Sequence, residues 1–366
     1  MGGIALSSLI LHVGPGKCGS SSIQQFFATH KHPCVQATSY KLLSPSLITA
    51  FNCEEPDAVL LDSFRRQLSR DLEGCDCLVL SHEFLFQNPF AVKSICSSAV
   101  RLAQQITIIG YSRKQSDFLL SAYSQWLFRS ADRIKEVNNS LVKLGLDPVL
   151  FTGLERQFIA SIENDFYSAR MLSGYSILHW SNSYNNIFQL VHEYGVVLKC
   201  GVLPNRETDV PLIQDFCIKG GLTLCREMMA PSMKTANSSY DHDVIEAINI
   251  AVDLGFEMMG PHDDNFILEL LSSVITNAPT GKRGFLCALQ SYVDAYYWDS
   301  NQKLCDTYGL DKAYFLPTEI LAKQRVLDVI VREGQQRSLH KSTIIEDYRV
   351  LSAKMIELCV KLAKVS

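Results

Sequence analysis

A glycine-rich stretch with one lysine and a run of hydroxyls is the first place in this sequence where residue types and spacing suggest chemistry. Gly14, Gly16 and Gly19 bracket Lys17 and Cys18, and Ser20, Ser21 and Ser22 follow at once. Glycines let a backbone approach an anion closely. The first N–H groups of a helix have no partner inside it, so such a loop suits a phosphate or a sulfate where it opens onto a helix. The competing reading is an ordinary strand-to-helix connection with a serine cap. The lysine and the serine run favour the anion.

Two other polar clusters stand beside apolar runs. His82 and Glu83 follow Cys77-Leu78-Val79-Leu80, and Arg113 follows the β-branched run Ile106 to Tyr111, with Ser121 eight residues further on. An arginine fork suits a terminal phosphate, and a serine adds a hydroxyl donor. His82 and Glu83 are candidates for a general base, of which one is expected to act, since neighbours at a strand end point to opposite sides. The bland alternatives are a helix-capping residue for His82 or Glu83, a solvated charge for Arg113, and a small packing residue for Ser121. His12, inside the first apolar run, reads as a hydrogen-bonded structural residue. The remaining histidines show no ligand spacing, and no metal site is expected.

The elements that must position these residues follow from periodicity. Strands are expected at Leu9–Val13, weakly at Val35–Leu43, and at Cys77–Leu80, Ile106–Tyr111 and Gly195–Val202. Apolar residues at helical spacing predict helices over 57–73, 91–105, 116–128, 129–144, 153–165 and 182–194. Further helices are predicted over 209–219, 241–254, 263–276, 282–295, 317–333 and 343–364. Strands alternating with helices give an α/β fold, a central parallel sheet flanked by helices, with a largely helical C-terminal half. Ligands on such sheets bind at the carboxyl ends of the strands, and Lys17, His82/Glu83 and Arg113 all lie just past one. No linker cuts the chain, so a single domain is expected: a core with the Gly-rich loop over 1–128, a helical insertion over 129–190, and the last strand with a helical region over 191–366.

Composition narrows the class. The 366 residues are 47% hydrophobic and carry a net charge of −4, enough for a sizeable core and with no basic excess to suggest nucleic acid. The 12 cysteines are scattered, without a zinc pattern, as in buried reduced thiols of an intracellular protein. The N-terminal apolar stretch lacks a basic flank and reads as a strand rather than a signal peptide. No apolar run is long enough for a membrane span, so a cytoplasmic location is expected.

The spacing from Gly14 to Gly19 is that of a P-loop. Ser20, however, stands where an ATPase or GTPase carries its lysine, and Lys17 comes two residues before the second glycine. That displacement argues for a different leaving group and for transfer without a metal. The run Gly16-Lys17-Cys18-Gly19-Ser20-Ser21-Ser22 resembles the 5′-phosphosulfate loop of sulfotransferases that use 3′-phosphoadenosine 5′-phosphosulfate, and its wider form is closest to their bacterial, carbohydrate-type branch. Ile108 to Arg113 with Ser121 resembles the 3′-phosphate motif of the same family, and Ser81-His82-Glu83 its Ser-x-Glu run. The likeness spans roughly residues 8–255 and is strongest at the two anion motifs.

The resemblance implies a P-loop NTPase-like three-layer fold and transfer of a sulfuryl group to an acceptor hydroxyl, on a small molecule or glycan. It implies that Gly16, Lys17, Cys18, Gly19, Ser20, Ser21 and Ser22 hold the 5′-phosphosulfate and that Arg113 and Ser121 hold the 3′-phosphate. Lys17 would stabilise the leaving phosphate and Glu83, with His82 close behind, would be the base. No metal, nucleic acid or membrane enters this reading, and nothing in the sequence sets an oligomeric state. The runner-up is a P-loop small-molecule kinase using Mg·ATP. A non-catalytic nucleotide-binding module is the third reading.

Overall fold

Five strands form one parallel sheet, in the order β2-β3-β1-β4-β5. The computed structural model describes residues 7–30, 33–123, 131–163, 178–203, 210–225, 245–246, 283–316, 323–346, 349–350 and 352–353. In chain order the elements begin with β1 (Ser8–His12), α1 (Ser20–Thr29), β2 (Thr38–Leu42), α2 (Pro45–Phe51), α3 (Ala58–Glu73) and β3 (Cys77–Ser81). After a 3-10 turn at Glu83–Gln87 come α4 (Pro89–Ala99), β4 (Gln105–Ser112), α5 (Gln115–Tyr123), α6 (Ala131–Lys143), α7 (Gly153–Glu163) and α8 (Trp180–Val191). Then follow β5 (Val197–Val202), α9 (Leu212–Gly220), α10 (Arg283–Tyr296), α11 (Trp298–Tyr308) and α12 (Lys323–Ser338).

The chain divides into two compact units. The first comprises residues 1–113, 179–237 and 300–312, and contains the whole sheet. Its central strands are apolar on both faces, as parallel strands covered by helices must be. Leu9, Ile10 and Leu11 of β1 and all of β3 are buried, each large side chain contributing about 1.5–3 kcal/mol by leaving water. β2, at one edge, is half-exposed throughout, which is why its sequence Thr-Ser-Tyr-Lys-Leu carries so little strand signal. The strand that follows β1 lies to one side of it and the strand that follows β4 lies to the other, so the carboxyl ends of β1 and β4 flank the crevice where connections diverge. Gly110 lets these two strands approach, because a Cβ there would stand 2.9 Å from Val13 O and 2.6 Å from the Tyr184 hydroxyl.

The second unit comprises residues 114–178, 238–299 and 313–366, and its described elements are helical. Its interior is held by buried polar pairs. Thr152 and Glu155 form a reciprocal cap on α7, with Thr152 N donating to Glu155 Oε2 at 2.9 Å and Glu155 N to Thr152 Oγ1 at 3.3 Å. Arg337 grips the same carboxylate with two bonds, at 2.7 and 3.0 Å, and lies over the rings of Phe151 and Phe285. Asp294 accepts from Ser116 N and Ser116 Oγ and so caps α5; burial pushes its carboxyl up to about 6. The Tyr123 hydroxyl donates to Glu246, which also takes the Gly153 N–H.

Most of the expected elements form, with shifted ends. The helix expected over 91–105 stops at Ala99, because Gln104 N already pairs with Ser7 O and draws the chain into β4. Ser44-Pro45 does more than end β2. Ser44 Oγ accepts from Leu47 N and Pro45 opens α2, a start signal that is plain once the turn is known. The third helix ends at Glu73, the bound expected from the spacing, and Gly74 caps it with φ −94° rather than a left-handed turn. The expected helix 263–276 and most of 241–254 and 343–364 lie outside the described residues, as do Trp126 and Leu127. Among the described residues no helix is long and apolar enough to cross a membrane.

Candidate functional site

The loop that leaves β1 is built from its backbone outward. Gly19, at φ 87°, is the residue from which α1 starts. No side chain caps the helix and no acidic residue lies in its first turn, so its leading N–H groups and positive end face an uncompensated N-terminus. Ser20 turns its hydroxyl back onto Pro15 O at 3.2 Å, while Ser22 N and Ile23 N both donate to Gly19 O. Lys17 has φ 66°, alone among the described non-glycine residues in the left-handed region. That conformation costs an L-residue about 1–2 kcal/mol, and such strain persists where surrounding contacts impose it.

A Cβ on Gly19 would meet Leu212 Cδ2 at 2.5 Å and Leu203 Cδ1 at 2.9 Å. Gly19→Ala is therefore expected to destabilise the protein by about 2–4 kcal/mol, the sum of a left-handed alanine and overpacking against two leucines. In Gly16→Ala the new methyl meets only the mobile Glu83 carboxylate, at 3.2 Å, and the expected cost is under about 1 kcal/mol. Urea midpoints of the two variants check the contrast.

Two strand ends close on the loop. From β3, Glu83 turns its carboxylate to Gly16, and its charge holds the Lys17 ammonium up while burial pulls that ammonium down more strongly. His82 is engaged differently. Its Nδ1 accepts from Phe84 N at 3.0 Å, capping the 3-10 turn, and its ring packs on Phe84. Burial lowers the His82 pKa, with the Glu83 charge opposing. Of the two candidate bases, Glu83 is therefore the one seen against the loop, and His82 has the capping role weighed as its alternative. From β4, Arg113 Nη1 donates to Lys17 O at 3.1 Å, so the two sequence motifs meet although 96 residues separate them. Arg113 is anchored through its own carbonyl, which accepts from Trp180 Nε1 at 2.9 Å. The Arg113 charge also opposes the rise in the Cys18 thiol, which burial pushes up to about 12; Cys18 is an inert wall of the loop.

Beneath the loop lies a polar group that the sequence left as structural. His12 is fully buried, and Nδ1 bonds Ser81 Oγ at 2.8 Å, as expected of a structural histidine. Ser81 Oγ also accepts from Gln24 Nε2 at 3.3 Å, so the buried ring and its serine are tied to α1 as well. Burial lowers the His12 pKa to about 3, so the ring is neutral. Nε2 has no hydrogen-bond partner and stands 3.2 Å from where a Cβ on Gly14 would be. Arg113 Nε is likewise buried and unpartnered. Two buried nitrogens without partners thus belong to residues that touch one loop, and each costs about 1–3 kcal/mol until a partner satisfies it.

Ser121, half-buried on α5, belongs to the second unit, whereas Arg113 closes the stretch of the first. Further residues, given no role from the sequence, complete the site's frame: Gln24 and Ser81 under the loop, Leu203 and Leu212 against Gly19, and Asp215, which accepts from the Tyr111 hydroxyl at 2.7 Å and fixes the end of β4. Their separations along the chain run to about a hundred residues and more, and no local pattern carries such a contact. Among the described residues no cluster of histidine, cysteine and carboxylate side chains is arranged to hold a metal. No family model, no curated protein and no solved structure matches this chain.

Proposed function

We propose that this protein is a sulfotransferase of P-loop type, moving a sulfuryl group from 3′-phosphoadenosine 5′-phosphosulfate to the hydroxyl of a small-molecule or glycan acceptor. The observation that carries the reading is the meeting of Arg113 with the loop. Its Nη1 holds Lys17 O while its Nε stays buried without a partner, beside a helix N-terminus with no cap and no acidic residue. This arrangement offers donors for two anionic groups, and a bisphosphate nucleotide carries two. The strand order, with the loop leaving the central β1, fits a P-loop fold.

In this reading Lys17 and the N–H and hydroxyl groups of Gly19 to Ser22 take the 5′-phosphosulfate, and Arg113 takes the 3′-phosphate. Glu83 removes the acceptor proton as the acceptor oxygen bonds to sulfur and the sulfur–oxygen bond to the phosphate breaks. Lys17 lies where charge collects on the departing phosphate oxygen.

Calorimetry with 3′,5′-adenosine bisphosphate and with ATP, each with and without Mg²⁺, tests the reading. Binding of the bisphosphate without metal is expected. Tight Mg·ATP binding in its place would mark a kinase and overturn the proposal. Bisphosphate binding with no acceptor modified, across mono- and oligosaccharides and simple alcohols, would mark a nucleotide-binding module.

A further inference from the structure

His12 closes β1 and is tied to the elements around it. Its backbone lies between two strands, opposite Ser81 of β3 and Ile109 of β4. Its Nδ1 bonds Ser81 Oγ at 2.8 Å, and Gln24 of α1 donates to the same hydroxyl at 3.3 Å. The ring of Phe216, on α9, meets the imidazole edge-on, with 5.6 Å between centroids. The remaining polar atom, Nε2, is buried with no hydrogen-bond partner among the described residues. It lies against Gly14: a Cβ there would stand 3.2 Å from Nε2 and 3.1 Å from Ser20 Oγ.

A buried ring nitrogen without a partner destabilises the state that leaves it so, and a state that pairs it is favoured by the difference. The loop can supply such a state. A peptide group is planar and trans, so an N–H turned toward an anion turns the carbonyl of the same peptide the opposite way. An anion seated on the loop's N–H groups therefore sends carbonyl oxygens of the 14–16 turn toward the floor, where Nε2 stands. The sheet and Ser81 fix the ring, so it is the loop that comes to it. Burial keeps the imidazole neutral, and a neutral ring on Nε2 can donate without adding a charge beside Lys17.

We propose that His12 is a positioning residue of the loop: its Nε2 carries the ring proton and donates it to a carbonyl oxygen of the 14–16 turn once an oxyanion is seated, holding the loop's N–H groups on that anion. His12 touches no substrate and takes part in no proton transfer; it acts through the loop backbone. The inference rests on the reading of the loop as an anion cradle and deepens it, since the bond would tie the ground under Lys17 and Ser20 to the sheet. A phosphate and a sulfate share the chemistry that the loop would recognise.

The test uses the full chain with ¹⁵N-labelled histidine, and the variants His12→Gln and His12→Asn. A glutamine amide nitrogen reaches the place of Nε2, and an asparagine amide the place of Nδ1. NMR of the wild type should find hydrogen bonded to His12 Nε2. That resonance, assigned by its loss in either variant, should shift on addition of 3′,5′-adenosine bisphosphate or inorganic sulfate. His12→Gln should bind the bisphosphate within about 2-fold of wild type. His12→Asn, which keeps the tie to Ser81, should bind it about 3- to 10-fold more weakly, the worth of one neutral hydrogen bond. A role through Ser81 alone predicts the reverse order and would overturn the proposal, as would a proton on Nδ1 or an Nε2 resonance indifferent to bound anion. Where a variant does not fold, the wild-type spectrum decides. Bisphosphate binding with Nε2 unmoved removes this inference and leaves the sulfotransferase reading. Sulfate binding that moves Nε2, with no bisphosphate bound, removes that reading and leaves this inference. Binding of neither removes both.

Discussion

Glu83→Gln is expected to lower sulfuryl transfer by about 100- to 10,000-fold, the range that a positioned general base supplies. Affinity for 3′,5′-adenosine bisphosphate should hold or tighten slightly. The glutamine keeps the shape beside Gly16, while loss of the Glu83 charge leaves Lys17 with more of its own field for an anion. His82→Asn should behave differently. An asparagine oxygen can accept from Phe84 N as His82 Nδ1 does, so the 3-10 turn survives and transfer should fall by less than about 10-fold. Release of the bisphosphate from the phosphosulfate donor, followed over a panel of saccharide acceptors, measures both. A large loss in His82→Asn with full activity in Glu83→Gln would assign the base to His82. Full activity in both would move the base elsewhere.

The contrast between these neighbours shows what the sequence could and could not say. That one of them faces the crevice was readable from their place after an apolar run, because a strand buried on both faces must end where polar residues begin. Which one was not readable, since it depends on a backbone turn that puts His82 in a cap and Glu83 across from Gly16. The loop was legible because glycine spacing reports backbone freedom directly. The left-handed conformation of Lys17 was not, since a lysine carries no such signal. β1, β3 and β4 announced themselves as apolar runs, and β2, half-exposed at the sheet edge, scarcely did. Strand order lies beyond any local pattern, and with it the reason that Arg113 and Lys17 meet. The partner of Ile109 and Gly110 could not be named until β4 was seen beside β1.

The bond from Arg113 to Lys17 O also sharpens the second large effect, because it gives the guanidinium two separable duties. One, seen in that bond, is to hold the loop; the other, in the proposed reading, is to hold a phosphate. Arg113→Ala is expected to weaken 3′,5′-adenosine bisphosphate binding by about 10- to 150-fold, the equivalent of about 1.5–3 kcal/mol for a charged hydrogen-bonding pair. Adenosine 5′-phosphate, which lacks the second phosphate, separates the duties. If Arg113 grips the 3′-phosphate, the wild-type protein prefers the bisphosphate and Arg113→Ala erases that preference while costing the monophosphate little. If Arg113 acts only through Lys17 O, both nucleotides lose affinity equally and the 3′-phosphate assignment fails. Arg113→Lys should fall between, since one ammonium cannot replace a planar fork that bonds a carbonyl and an anion at once.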